Sequence, residues 1–134
     1  MKNWVGVMAL SGVMLACAEA EMPEAPEGAA LFAENCAMCH GPSGRGDGTL
    51  AAELLPKTTD LTTISRRAGG AFPVAAVLSE IDGYHRDPVD GADMPEFGVL
   101  LEGDLVPIDV GDGVFTPTPR PLAALLAYLE SIQR

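Results

Sequence analysis

The motif CAMCH at residues 36–40 constrains this chain more than any other feature, because it places two thiols and an imidazole within five consecutive residues. Three kinds of site use such a group: a redox dithiol, a zinc site and a covalent haem attachment. The spacing within the motif does not separate them, so the rest of the sequence has to be considered.

The remaining cysteine and histidine argue against two of these sites. Zinc would need a fourth ligand and usually a second pair, but Cys17 and His85 are the only other residues of these types. A thioredoxin-like dithiol lies within a βαβ pattern, and the sequence shows no clear strand. Haem attachment uses all three side chains, because Cys36 and Cys39 share one helix face and His40 follows them under the iron. The motif therefore predicts a haem site.

Residues 1–18 predict an export signal. Lys2 precedes an apolar run that is too short for a permanent membrane-spanning helix, and small residues follow it. Cys17 lies in VMLACAE, which is similar to a lipoprotein signal except that Met14 stands where leucine is usual. We expect either simple cleavage of the signal, or cleavage before a lipidated Cys17 that tethers the domain to a membrane.

The segment after the signal predicts a linker, and the charge limits the partners. Residues 19–27 are mostly glutamate, proline and alanine, with little to bury.

The chain has 19 acidic and 8 basic residues, a formal net charge of −11. Such a surface disfavours nucleic acid and anionic lipid as partners, and it favours a basic protein surface.

Hydrophobic periodicity predicts a small all-α domain over residues 28–134. A helical pattern begins at Gly28 and leads into the cysteine motif. A short helical patch is expected over residues 50–55, and a longer amphipathic helix over residues 73–82, ended by Gly83.

The second half of the domain has weaker signals. Thr59 or Asp60 is expected to cap a short helix, whereas residues 98–118 show no stable period. Thr118 is the expected cap of a last helix, with Pro119 as its first residue. The predicted core is thin for a domain of this size, and a haem would fill it.

Three segments resemble the class I c-type cytochromes. GAALFAENCAMCHGPSGRGDG (28–48) is similar to the family's first helix and haem motif, MPEFG (94–98) to its methionine loop, and LAALLAYLESIQ (122–133) to its last helix. The resemblance covers residues 27–134. It implies the small cytochrome c fold, in which short helices pack around one covalently bound haem c.

The same resemblance implies the haem attachment and the iron ligands. Cys36 and Cys39 are the expected thioether anchors, His40 the proximal iron ligand and Met94 the distal ligand. A structural methionine in the core is the alternative role for Met94. His85 is the alternative distal ligand, in a site with two histidines.

Further contacts are implied around the haem. The carbonyl of a downstream proline, here Pro56, is expected to fix the second ring nitrogen of the proximal histidine. Where the first and last helices cross, Gly28 and Phe32 are expected to meet Leu125 and Tyr128. Donors to the haem propionates are expected from a set of polar residues that would otherwise be solvated surface: Thr58, Arg66, Arg67 and Tyr84.

Histidine and methionine ligation leaves no open iron position for a substrate, and the thioether favours ferrous iron. The resemblance therefore implies an exported, periplasmic carrier of single electrons between redox proteins, without enzyme activity or a small-molecule substrate. Two alternatives remain: a haem subunit of a larger periplasmic oxidoreductase, and a gas-binding or sensor haem. Between Glu80 and Glu102, seven acids and one base bracket Met94, which favours a partner with a basic docking surface.

Overall fold

The computed structural model describes residues 21–84 and 94–134, which form short helices and one hairpin. The helices are α1 (Ala25–Asn35), α2 (Ala37–His40), α3 (Ile64–Arg67), α4 (Val74–Asp82) and α5 (Arg120–Ser131), and a 3₁₀ turn at Leu61–Thr63 precedes α3. Strand β1 (Leu105–Asp109) pairs antiparallel with β2 (Phe115–Pro119). The predicted all-α class is confirmed, with the hairpin as an addition to it.

The first and last long helices cross at very short distance. A Cβ atom on Gly28 would overlap the carbonyl oxygen of Ala124 and would lie 2.8 Å from Cβ of Tyr128. Next to this point, the rings of Phe32 and Tyr128 lie 5.1 Å apart between centroids. Leu125 is buried beside them. The crossing implied by the cytochrome resemblance is therefore present, and it depends on the absence of a side chain at Gly28.

The core joins these two helices to α4 and to the hairpin. Val77, Leu78 and Ile81 bury one face of α4, and Val106 and Ile108 bury one face of β1. They pack with the apolar stripe of α5 in a single cluster. Within the described residues no helix is long and apolar enough to cross a membrane.

The hairpin was not predicted, and the sequence explains why. In β1, buried and exposed residues alternate as a half-buried strand requires. Proline, however, occupies Pro107, Pro117 and Pro119, and proline in a sequence argues against a strand. The register places Pro107 opposite Pro117 in a pair whose backbone groups point away from the hairpin, so the two missing N–H groups break no hydrogen bond between the strands. The prediction that residues 98–118 lack regular structure is wrong for this part.

Helix α1 begins at Ala25, inside the segment predicted as a linker, rather than at Gly28. Pro26 stands in its first turn, where a missing N–H is harmless. The carboxylate of Glu27 then accepts two hydrogen bonds from the guanidinium of Arg120, at 3.1 and 2.9 Å. This ion pair holds the start of α1 against the start of α5.

Three other predicted boundaries can be compared with the structure. The amphipathic helix ends at Gly83 as expected, with φ of 91° at that glycine. Asp60 caps the 3₁₀ turn at Leu61–Thr63, where its side chain accepts a hydrogen bond from the N–H of Thr62. The last helix begins one residue after Pro119, and the hydroxyl of Thr118 donates to a strand carbonyl instead of capping. The helical patch expected over residues 50–55 is wrong, because turns occupy that stretch.

Candidate haem site

The CAMCH motif forms a tight turn where α1 ends. The N–H of Cys36 still donates to the carbonyl of Phe32, at 2.9 Å, but its backbone leaves the helix with φ of −118°. Its own carbonyl accepts from the N–H of Cys39 and of His40, at 3.2 and 2.9 Å. The two thiols and the imidazole are all half-buried. This turn therefore presents three reactive side chains from one short, hydrogen-bonded segment.

The electrostatics of the first thiol disfavour a redox dithiol. Burial, together with the neighbouring Cys39, raises the pKa of the Cys36 thiol from 9.0 to about 11. Reactive redox cysteines have a lowered pKa and are thiolates near neutral pH. Cys36 lacks that lowered pKa, so its surroundings do not favour a redox role.

The ring of His40 is oriented by a backbone carbonyl. Its Nδ1 lies 3.2 Å from the carbonyl oxygen of Thr59. Because a carbonyl can only accept, Nδ1 carries the hydrogen and Nε2 keeps a free lone pair. The prediction that Pro56 supplies this carbonyl is therefore corrected to Thr59. Proline has no special advantage here, since any backbone carbonyl at this point of the loop can accept.

Burial also keeps this imidazole neutral. It lowers the pKa of His40 below its ordinary 6.5, although the hydrogen bond to Thr59 acts in the opposite direction. Neutral imidazole with a free Nε2 is the form that binds a metal ion. His40 therefore has the protonation and the orientation that a metal-ligating histidine requires.

A glycine-rich loop folds over the motif and fixes it. The N–H of Gly46 donates to the carbonyl of His40 at 2.8 Å, and the N–H of Gly48 donates to that of Cys39 at 3.2 Å. A Cβ atom on Gly46 would lie 2.5 Å from the carbonyl oxygen of Thr58. Only glycine permits this approach of two backbones, which brings the segment that contains Thr59 next to the motif.

Met94 is half-buried and packs against the same core cluster as Cys36. The residues after it are tied to the end of α4, since the N–H of Phe97 donates to the carbonyl of Ile81 at 3.0 Å. Phe97 itself is buried. The methionine is thus attached to a fixed part of the fold. His85 lies outside the described residues.

The polar residues expected near a haem carboxylate divide into three groups. The guanidinium of Arg67 is occupied, because it donates to the carbonyl of Asp60 at 2.8 Å. Arg66 and Tyr84 are exposed. Thr58, in contrast, has a buried hydroxyl oxygen with no hydrogen-bond partner among the described residues. A cofactor carboxylate at this position would satisfy it.

The donor set fits a covalently attached haem. It consists of two thiols, an imidazole with a free Nε2 and a thioether, and Thr58 adds an unsatisfied hydroxyl. Within the described part of the chain, no group of three His, Cys, Asp or Glu residues could hold a metal ion. Two surface grooves of about 300 and 460 Å³ lie between α4 and the hairpin, and the motif lines neither of them.

Comparison with known proteins agrees with this chemistry. The family model described as cytochrome c matches residues 25–102. The Cbb3-type cytochrome c oxidase subunit FixP of Azorhizobium caulinodans is 37% identical over 76 residues, which are 50% of this chain and 25% of that subunit. The chain thus matches about a quarter of the length of this relative. No solved structure matches the chain significantly.

Fold, donor set and comparison define a haem c domain of the electron-carrying kind, with one covalently bound haem. The chain belongs to the cytochrome c family. The family match ends at Glu102, before the hairpin begins.

Proposed function

We propose that the protein is an exported monohaem cytochrome that passes single electrons through an iron ligated by His40 and Met94. Cys36 and Cys39 would hold the haem by thioether bonds. The observation that carries this assignment is the imidazole of His40, which a backbone carbonyl orients with Nε2 free, beside two thiols in the same turn. Met94, half-buried on the core, is the matching sulfur donor.

The haem, when bound, supplies an iron that alternates between the ferric and ferrous states. Cys36 and Cys39 would hold the haem, and His40 and Met94 would bind its iron. His40 stays neutral and oriented through Thr59, and Met94 contributes a soft, uncharged donor that favours the ferrous state. Since these two ligands would leave no open position on the iron for a substrate, we propose that the protein transfers electrons only and has no enzyme activity.

Export is a separate part of the proposal. It is supported by residues 1–18, which have the charge and apolar pattern of a signal, and by the periplasmic setting in which c-type haem attachment is expected. Cys17 and the rest of this segment lie outside the described residues. Lipidation of Cys17 can be decided by mass: an acylated protein partitions into detergent and Cys17→Ala releases it, whereas a soluble protein that begins after residue 18 shows simple cleavage.

A second candidate function is that of a haem subunit in a larger oxidoreductase. It is favoured by the relative FixP, whose name places it in a cbb3-type oxidase and of which this chain matches only a quarter. The two functions share the same haem chemistry. They differ in whether the protein purifies alone or with a large partner.

Redox titration of the purified protein with optical detection tests the proposal. An electron carrier should titrate as one single-electron couple with low-spin spectra in both states, and it should bind carbon monoxide slowly. A high-spin ferrous form that takes up carbon monoxide at once would indicate a gas-binding or sensor haem instead. Co-purification of a larger complex at constant stoichiometry would favour the subunit over the free carrier.

A further inference from the structure

The hairpin exposes apolar side chains on the face turned away from the core. Val106 and Ile108 point inward and are buried, whereas Leu105 and Phe115 are 63% and 62% exposed. Pro107 and Pro117 stand between them on the same outer face and are also exposed. Soluble proteins seldom keep such adjacent apolar side chains in water unless another surface covers them. This set of four residues is called the outer hairpin face below.

The edges of the hairpin are poorly suited to pairing with another strand. The N–H of Arg120 donates to the carbonyl of Asp104, and the N–H of Val110 donates to the carbonyl of Val114. With the observed register, the even-numbered residues of β1 therefore form the hydrogen bonds between the two strands. The odd-numbered positions direct their backbone groups outward. On β2 these include Pro117 and Pro119, which have no N–H to donate. A partner is therefore expected to contact the outer hairpin face and not to extend the sheet.

The hairpin carries exposed acids beside its outer face. Asp104 precedes Leu105, Asp109 lies opposite Phe115 and Asp112 lies in the turn, and all three are exposed. Arg120, the base that follows β2, is paired with Glu27. In a symmetric contact between two copies, the same acidic surface would face itself. Like charges at an interface weaken binding considerably, so a second copy of this chain is disfavoured.

We propose that the outer hairpin face is a docking surface for a protein partner that presents an apolar patch bordered by lysine or arginine. Phe115 and Leu105 supply the apolar contact, and the surrounding carboxylates select the basic border. This proposal goes beyond electron transfer, because it concerns how the cytochrome is held beside its partner. It depends on neither the haem ligands nor the acids before Met94.

Site-specific photo-crosslinking in the producing cells tests which molecule covers the outer hairpin face. The full chain carries p-benzoylphenylalanine in place of Phe115, or, as a control, in place of Leu55, which is 76% exposed in a different loop. The proposal predicts one crosslinked protein from position 115 and not from 55, with the crosslinked peptide lying in a lysine- or arginine-bordered apolar surface. A product of twice the chain mass, a lipid adduct, equal products at both positions or no product at 115 would overturn it.

Binding of the crosslinked partner, once purified, to the holo cytochrome gives a second test. Leu105→Ser with Phe115→Ser should weaken binding about tenfold or more, as loss of buried anchor residues does, while Leu55→Ser should leave it unchanged. Raising the salt concentration should weaken the wild-type complex. Unaltered melting and haem spectra show that the variants are folded and loaded. Equal affinity of the double variant and the wild type would overturn the proposal, whatever the result for electron transfer.

Discussion

Gly28 lies so close to Ala124 that a Cβ atom on the glycine would overlap the alanine's carbonyl oxygen. The two residues belong to α1 and α5, the first and last helices of the fold. Their contact holds α1 against α5 and positions the end of α1, where the CAMCH turn begins. The haem-binding turn therefore depends on packing at a position several residues away from it.

Gly28→Ala is expected to lower the free energy of unfolding by about 1–3 kcal/mol, because the added methyl group would force the two backbones apart. Alanine has the higher helix propensity by about 1 kcal/mol, which opposes this effect but does not relieve the overlap. Chemical denaturation of the holo protein measures the change. Ala33→Ser, on an exposed position of α1, serves as the control. A Gly28→Ala variant as stable as the wild type would show that the crossing is not tight.

A second prediction concerns acid stability. The pKa of Asp60 is held below its ordinary 3.8, first by the hydrogen bond from the hydroxyl of Thr62, and also by the N–H of Thr62 and by Arg134. A lowered pKa in the folded state stabilises the fold at pH values above 3.8, and this contribution is lost as the pH falls further. We expect Asp60→Asn to lower the denaturation midpoint at pH 7.

Measuring the stability of wild type and Asp60→Asn at lower pH tests whether the charge of Asp60 is responsible for the difference. The difference between wild type and Asp60→Asn should shrink steadily as the pH falls below 3.8. Glu53→Gln, at an exposed turn position, is the control for a simple loss of negative charge. A difference that is constant from pH 7 to pH 2 would mean that Asp60 contributes by packing and not by its charge.

The third prediction is that haem attachment is needed for a stable fold. Cys36→Ser or Cys39→Ser should give little intact protein in the cell, because a bound haem would add to a thin core and its binding would stabilise the folded state. Haem staining and immunoblotting measure loaded and total protein separately. Met38→Ala is the control, since Met38 lies between the cysteines but is 59% exposed. A double cysteine variant that folds normally without haem would contradict the assignment.

Much of the fold could be predicted because its helices carry regular patterns. The apolar stripe of α5, the amphipathic helix ended by Gly83 and the motif at the end of α1 all follow a helical period. The hairpin could not be predicted, because its alternating apolar pattern includes Pro107 and Pro117, and proline is rare in strands. Only tertiary packing of Val106 onto the core shows that this segment is a strand.

The site was predictable to a similar extent. CAMCH predicts which residues would attach the haem, since the spacing of its two thiols and its imidazole is typical of c-type haem attachment. The partner of His40 was not predictable, because a backbone carbonyl exists at every residue and the fold alone selects Thr59. One signal was available: Gly46 permits the close approach that brings this segment to the motif. Glycine in a loop beside a functional motif can therefore indicate where a second backbone approaches that motif.

The fourth prediction is that acids near Met94 steer the redox partner. Electron-transfer rates with a basic partner should fall between 0.01 and 0.1 M salt, as the Debye length falls from about 30 to about 10 Å. Asp90→Asn with Asp93→Asn and Glu96→Gln should lower the rate at low salt without changing the potential. Asp90 and Asp93 lie outside the described residues.

The control for electrostatic steering is a triple variant that removes the same number of negative charges from other surface positions. Glu34→Gln with Glu53→Gln and Glu130→Gln removes three exposed acids from other parts of the surface. If both triple variants slow the reaction equally, net charge and not a local acidic surface is responsible. A rate independent of salt would leave solubility as the role of these acids.

The oxidised absorption spectrum of Met94→Ala, compared with wild type and His85→Ala, tests the central claim most directly. With His40 and Met94 as iron ligands, wild type and His85→Ala should be low-spin and show the weak far-red band of sulfur bound to ferric iron. Met94→Ala should lose that band, and its potential should fall because a neutral thioether is replaced by water or another base. A wild-type protein without the band, or a low-spin spectrum abolished in His85→Ala but kept in Met94→Ala, would contradict the account.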